Sequence, residues 1–168
     1  SGDVILKEYC TIEEEDTLGT LHDKLKKIGA KGLEKAIDLI ESGKVIAEKQ
    51  DESLVTFVKP ISKEQEIIDW SDTKENIYNK IRGLNPFPGA LSYYDDQIIK
   101  VYLSEKIDKE YDGEYGEVVE IINKKGPVVK VKNGGIILKE VKFQGKKSQS
   151  GIDIINGRKI ILNRKFGK

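Results

Sequence analysis

Thirteen of this chain's 29 lysines and arginines lie in residues 121–168, where Glu140 and Asp153 are the only acids. At neutral pH such side chains serve mainly as fixed positive charges, and a run this unbalanced creates a field that attracts anions. Lys130 and Lys132 share one face of a strand by their two-residue spacing, and Lys146-Lys147 follow the turn-forming Gly145. Lys139, Arg158, Lys159 and Arg164 complete the set, and Arg82 closes a helix upstream. The chemistry on offer is charge-assisted contact with a polyphosphate, steeply weakened by salt. The region's aromatics are Phe143 and Phe166, few for a reader of unpaired bases, so backbone contact with folded RNA is the expectation. Composition alone favours a solvated surface, or pairing with residues 65–120, which carry 13 acids against 6 bases.

Other chemistry is poorly supplied. One His (His22) and one Cys (Cys10) provide no His/Cys metal cluster, no Cys-His pair and no supported Ser-His-Asp arrangement. Neither a Walker loop nor GxGxxG occurs. No catalytic, cofactor-binding or metal-binding residue is therefore assigned. At 38% hydrophobic and 35% charged, the chain can build a core. No run of about 18 apolar residues occurs. A lone cysteine argues against a disulfide framework and fits a cytoplasmic protein.

The elements that must position the basic set follow from periodicity. Residues 3–12 read as a strand. Asp16 or Thr17 opens a long helix, with Leu18, Leu21, Leu25 and Ile28 at helical spacing and Gly43 as its stop. Together they form a βα unit that lacks a sheet to bury its apolar face. Residues 46–66 read as a linker with Pro60. Asp72 or Thr73 caps a helix at 74–83, whose Ile77, Ile81 and Leu84 share a face before Asn85-Pro86-Phe87-Pro88-Gly89 stops it. Five short strands follow, at 90–94, 97–104, 115–122, 127–132 and 135–143, between Asp-Gly, Gly-Pro and Asn-Gly steps. A short helix at 150–156 and a strand at 159–163 end the chain. The fold class is mainly β with helices, its C-terminal part an OB-like barrel.

Ile68-Asp69-Trp70, then Ile81-Arg82-Gly83-Leu84-Asn85-Pro86-Phe87-Pro88-Gly89-Ala90, resembles the hinge region of the formyltransferase family that uses 10-formyltetrahydrofolate. Asp16-Thr17-Leu18-Gly19-Thr20-Leu21-His22-Asp23-Lys24-Leu25, Gln50-Asp51-Glu52 with Lys63-Glu64, and Gly145-Lys146-Lys147 extend the likeness along nearly the whole chain. Departures are Lys142-Phe143-Gln144 before Gly145 and the absence of a Met after the two lysines. The resemblance implies three parts. Residues 1–45 would be the remnant of a Rossmann-like catalytic domain, 46–66 the interdomain linker and 67–168 an OB-like tRNA-binding domain. It also implies that Ser1-Gly2-Asp3 follows the family's last catalytic group, so the Asn, His and Asp of catalysis would lie in a missing N-terminal domain. This chain would then be inactive alone. The implied donor is 10-formyltetrahydrofolate and the implied acceptor the methionine on initiator tRNA, with a nucleotide-linked amino sugar as the alternative. A free-standing OB-like nucleic-acid-binding module is a third reading. The uncovered βα face is expected to favour self-association.

Overall fold

The computed structural model describes residues 2–167 and divides the chain into two compact units, Ser1–Pro60 and Ile61–Lys168. The first is built on α1 (Leu18–Glu41). Thr17 caps it: its hydroxyl accepts from the Thr20 amide while Thr20 Oγ1 accepts from the Thr17 amide. Asp16, almost fully buried, braces the entry by accepting from Glu13 N–H, Thr20 Oγ1 and Lys24 Nζ at 2.8, 2.9 and 2.6 Å. The Lys24 ammonium and these donors hold its carboxyl down at about 2.

The strand expected over 3–12 is absent. The segment is tied to residues 44–50 by a bridge, Val4 with Glu48, so no ladder forms and its remaining pairing groups lack a partner strand. It covers one flank of α1. Leu21, Ile28, Gly32 and Leu39, which fall within about 40° on a helical wheel, are buried or half-buried, and Leu6 and Glu8 lie against Gly32. Leu18, Leu25, Leu33, Ile37 and Ile40 remain 45–63% exposed.

In the second unit, a short α2 (Lys63–Glu66) precedes the buried Ile68 and Trp70. Thr73, rather than Asp72, caps α3 (Lys74–Gly83) by accepting from the Asn76 amide. Ile77, Tyr78, Ile81 and Leu84 are buried from this helix. Each such isoleucine is worth about 1.5–3 kcal/mol. The helix start is fastened to a hairpin turn far along the chain. Asn133 Oδ1 accepts from the Lys74 amide at 2.8 Å, Asn133 Nδ2 donates to Glu75 at 2.9 Å, and Lys74 Nζ reaches Asp108 at 2.9 Å.

The strands are β1 (Ala90–Tyr94), β2 (Gln97–Ile107), β3 (Val118–Ile122), β4 (Gly126–Val131), β5 (Gly134–Phe143) and β6 (Gln149–Ser150). Their antiparallel sheet runs β1-β2-β5-β4-β3, with β6 on β5. A bulge near Leu103 bends β2. No ladder joins β1 to β3, so the sheet is not a closed barrel of regular strands. The C-terminal segment occupies the gap instead. At the start of β3, Asn163 N–H donates to the Val118 carbonyl and Val118 N–H donates to the Arg164 carbonyl; Phe166 N–H donates to the Gly116 carbonyl and Gly167 N–H to the Tyr93 carbonyl. The strand expected at 159–163 is a turn, with Arg158 and Asn163 at φ of 47° and 61°. Its amides serve single contacts; Ile161 N–H donates to the buried Tyr94 hydroxyl at 2.9 Å. Last comes α4 (Gly151–Asn156), seated so closely that a Cβ on Gly151 would lie 2.3 Å from the Lys125 carbonyl.

Two outcomes follow. Gly116 (φ +86°) has the Phe166 carbonyl 2.5 Å from where a Cβ would sit, whereas Gly145 (φ +71°) has open space. Gly145→Ala carries only the left-handed strain of about 1–3 kcal/mol, and Gly116→Ala is expected to exceed it. Urea unfolding followed by Trp70 fluorescence decides this, and equal losses would contradict the closing role. Separately, hydrogen bonding from Asn133 pulls Glu75 from the ordinary 4.5 down to about 2. Its depressed folded-state pKa means its contribution is present above 4.5 and is lost as pH falls toward 2. Glu75→Gln should flatten the acid limb of the stability curve across that interval; an unchanged limb would count against it.

Candidate nucleic-acid interface

The β1–β2 turn gathers part of the basic set. Asp95 and Asp96 adopt left-handed φ of 46° and 61°, which suits a tight hairpin. Beside them lies a cavity of about 240 Å3 lined by Tyr94, Asp95, Gln97, Phe143, Lys146 and Lys159. Arg164 approaches Asp95 at 3.5 Å, and Lys159 Nζ donates to Gln149 at 2.8 Å. Lys146, Lys147 and Arg158 are exposed, and among the described residues their side chains have no hydrogen-bond or ion-pair partner. Position comes from three devices. Tyr94, its hydroxyl pKa raised by burial, pins the 158–164 turn; Gly145 turns the chain after β5; Ser150 caps α4 by accepting from Asp153 N–H. Asp153, the acid nearest in sequence, is engaged by Ser150, whose hydroxyl donates to it and holds its pKa down.

The rest of the set is placed elsewhere. Lys130 Nζ donates to the Tyr111 carbonyl and lies over the Tyr115 ring at 5.9 Å. Lys139 reaches Glu105 at 3.5 Å, a carboxylate that Lys125 already holds at 2.5 Å and whose pKa is lowered by that lysine. Arg82 donates to Asn79 at 2.8 Å and stacks over Tyr78. Lys132 lies past the end of β4, so it does not share a strand face with Lys130; its backbone N–H donates to Asp72. The basic set named from the sequence is thus divided: a cluster of Lys146, Lys159 and Arg164, with Lys147 and Arg158 adjacent in the chain, and cations held at other places. Sequence reading missed Lys165, which pairs with Glu114 at 2.5 Å and, with Lys130, lines a cavity of about 810 Å3 beside Trp70 and Tyr115. It also passed over the solvent-exposed Lys142. Both alternate with buried residues (Phe166; Val141 and Phe143), which was the available signal.

Among the described residues no group of three or more His, Cys, Asp or Glu is placed to hold a metal. His22 lies exposed on α1, 3.7 Å from Asp23. Among the described residues, no helix is long and apolar enough to cross a membrane.

A mainly antiparallel sheet led by a capped helix and carrying a basic surface at its C-terminal end defines the class. Residues 60–159 match the formyl transferase C-terminal domain, and the chain belongs to that family. The chain is similar to methionyl-tRNA formyltransferase of Fusobacterium nucleatum, 49% identical over 99% of this chain and 54% of the relative. That of Bacillus subtilis is 42% identical over 94% and 50%. The chain therefore spans about half the length of the curated relatives it matches. HypX from Aquifex aeolicus, solved with tetrahydrofolic acid, superposes on 96% of this chain and 28% of its own with a TM-score of 0.73. At 14% identity that likeness speaks to the fold.

If the cluster is the main anion site, Lys146→Ala with Lys159→Ala should lower the salt needed to elute the chain from heparin. Lys130→Ala with Lys139→Ala should lower it less. The reverse order would place the site on β4 and β5 instead.

Proposed function

We propose that this chain is the RNA-holding half of a cytoplasmic methionyl-tRNA formyltransferase. Such an enzyme moves a formyl group from 10-formyltetrahydrofolate to the amino group of methionine on initiator tRNA. Residues 1–45 then belong with a catalytic domain, 46–66 form the linker and 67–168 hold the tRNA. One observation carries this reading: a formyl transferase C-terminal domain bears a cluster of largely unpaired cations around Lys146 and Lys159. A nucleotide-linked amino sugar offers few phosphates for such a cluster to neutralise, and so fits it less well. The transfer chemistry falls to the half of the relatives' length that this chain does not span. Its own share is positioning, since holding a large substrate in register lowers the entropic cost of the reaction.

Contacts from Lys146, Lys147, Arg158, Lys159 and Arg164 to phosphates fix orientation and carry little sequence information. The chain should bind different tRNAs with similar affinity. With five phosphates engaged, affinity should fall by a few hundred-fold between about 50 and 200 mM salt. Titration of tRNA at the two salts tests this; absent binding at the lower salt, or no loss at the higher, returns the cations to a solvated surface.

The open flank of α1 supports a second part of the reading. Leu33, Ile37 and Ile40 would be covered by the catalytic domain, and in the isolated chain by another copy. Each fully buried leucine or isoleucine adds roughly 1.5–3 kcal/mol. Sedimentation should show concentration-dependent association that Leu33→Glu with Ile37→Glu abolishes; a strictly monomeric parent chain would remove this part.

A further inference from the structure

Phe87 is 78% exposed, yet its turn is fastened on both sides. Asn85 Nδ2 donates to the Tyr102 carbonyl at 2.8 Å, Gly89 N–H donates to the Leu84 carbonyl at 2.8 Å, and Lys100 Nζ donates to the Pro88 carbonyl. At Gly89 a Cβ would come within 2.8 Å of the Tyr102 ring, so the turn and that ring are in close contact. The exposed ring is thus presented in place, and a partner that stacks on it loses little to ordering. Beneath it lies a cavity of about 710 Å3 over the outer face of β1, β2 and β5.

The floor of that cavity has an unusual charge arrangement. Leu91, Lys100 and Lys142 stand in register across three strands. Like charges directly opposite each other are unfavourable unless something anionic lies between or beside them. Lys100 has Glu66 at 3.7 Å and the Pro88 carbonyl. Lys142 is exposed and, among the described residues, has neither a hydrogen-bond nor an ion-pair partner. Tyr93 and Tyr102 flank the row. The floor continues to Phe143, which also lines the small cavity of Lys146 and Lys159. Phe143 thus borders both the groove and the cation cluster.

We propose that this groove binds an unpaired RNA segment continuous with a duplex held at the cluster, with bases stacked on Phe87 and Tyr102 and a phosphate at Lys142. Rings and a spare cation on one face are what single strands require. Paired bases present no free faces to such rings. An acidic peptide would satisfy Lys142 but gives the aromatic wall no flat partner. The inference rests on the reading above that the partner is RNA.

The test uses the 168-residue chain, a fluorescent blunt RNA hairpin, and the same hairpin with a short unpaired 3′ extension, compared by anisotropy. The extended hairpin should bind more tightly. Phe87→Ala should weaken it by at least about five-fold and leave the blunt hairpin unchanged, while Phe87→Trp retains the extension's advantage. Lys142→Ala should weaken the extended form more than the blunt one. Unfolding followed by Trp70 fluorescence should be unmoved by Phe87→Ala, as its exposure implies. If the blunt hairpin binds through Lys146 and Lys159 and the extension adds nothing, the groove proposal falls and the RNA reading stands. If neither RNA binds, both fall. A dimer that Phe87→Ala dissociates would assign the groove to a second copy, and Phe87-dependent binding of polyglutamate in preference to the extension would assign it to an acidic protein segment.

Discussion

Everything in the second unit hangs on how the gap between β1 and β3 is filled. The edges of a six-stranded sheet carry unpaired backbone groups, and here both are met by the segment 163–167. Phe166 is its anchor: 1% exposed, its ring lies 5.3 Å from Trp70 and 4.8 Å from Tyr94. Trp70 in turn donates its indole N–H to the buried Ser92 at 2.9 Å, so each polar atom in this aromatic knot has a partner. Gly116 lets the chain approach because it has no Cβ to strike the Phe166 carbonyl. The same closure carries Arg164 to Asp95 and Lys165 to Glu114. Packing and the placement of charge are one event.

Charge on this surface is decided by pairing more than by count. Residues 121–168 hold thirteen cations against two acids, but several reach back to the acidic middle of the chain. Glu105 takes Lys125 and Lys139, Glu114 takes Lys165, and Asp95 takes Arg164. These exposed pairs contribute little to stability, yet they leave a sharper pattern of free cations than the sequence shows. Lys142, Lys146 and Lys147 stand out because nothing nearby answers them among the described residues. Of the two alternatives open at the sequence level, internal pairing is thus taken up by some of these cations, and the phosphate site proposed above draws on the others.

Much of the fold was legible because its signals are local. Alternation and Asn-Gly, Asp-Gly and Gly-Pro steps located β1 to β5 within a few residues. The spacing of Ile77, Ile81 and Leu84 located α3. The failures share a cause: residues 3–12 and 159–163 have strand-like composition, but a strand exists only if a neighbour accepts its hydrogen bonds. One found a single bridge and the other a tyrosine hydroxyl. The closing role of 163–167 was invisible for the complementary reason, since Asn163-Arg164-Lys165-Phe166-Gly167 has little apolar pattern and pairs through its backbone. The candidate site was legible as a list of cations. Its grouping was not, because partners such as Glu105 and Asp95 are remote in sequence from the lysines and arginine they hold.

The count of aromatics was local in the same way. Within 121–168 only Phe143 and Phe166 could be considered, and both are buried. The rings that meet the basic surface come from the turn after α3 and from β1 and β2, brought alongside β5 by strand pairing. Phe143 sits at the junction, buried beneath β5 while bordering both the cluster and the groove. Its register opposite Ile99 of β2 fixes where Lys142 emerges relative to Lys146. The geometry a nucleic acid would meet is therefore set from inside the sheet, by which residue of β5 faces which residue of β2. A one-residue slip in that register would turn Lys142 inward and Phe143 outward, removing the spare cation from the groove and a core ring in a single step.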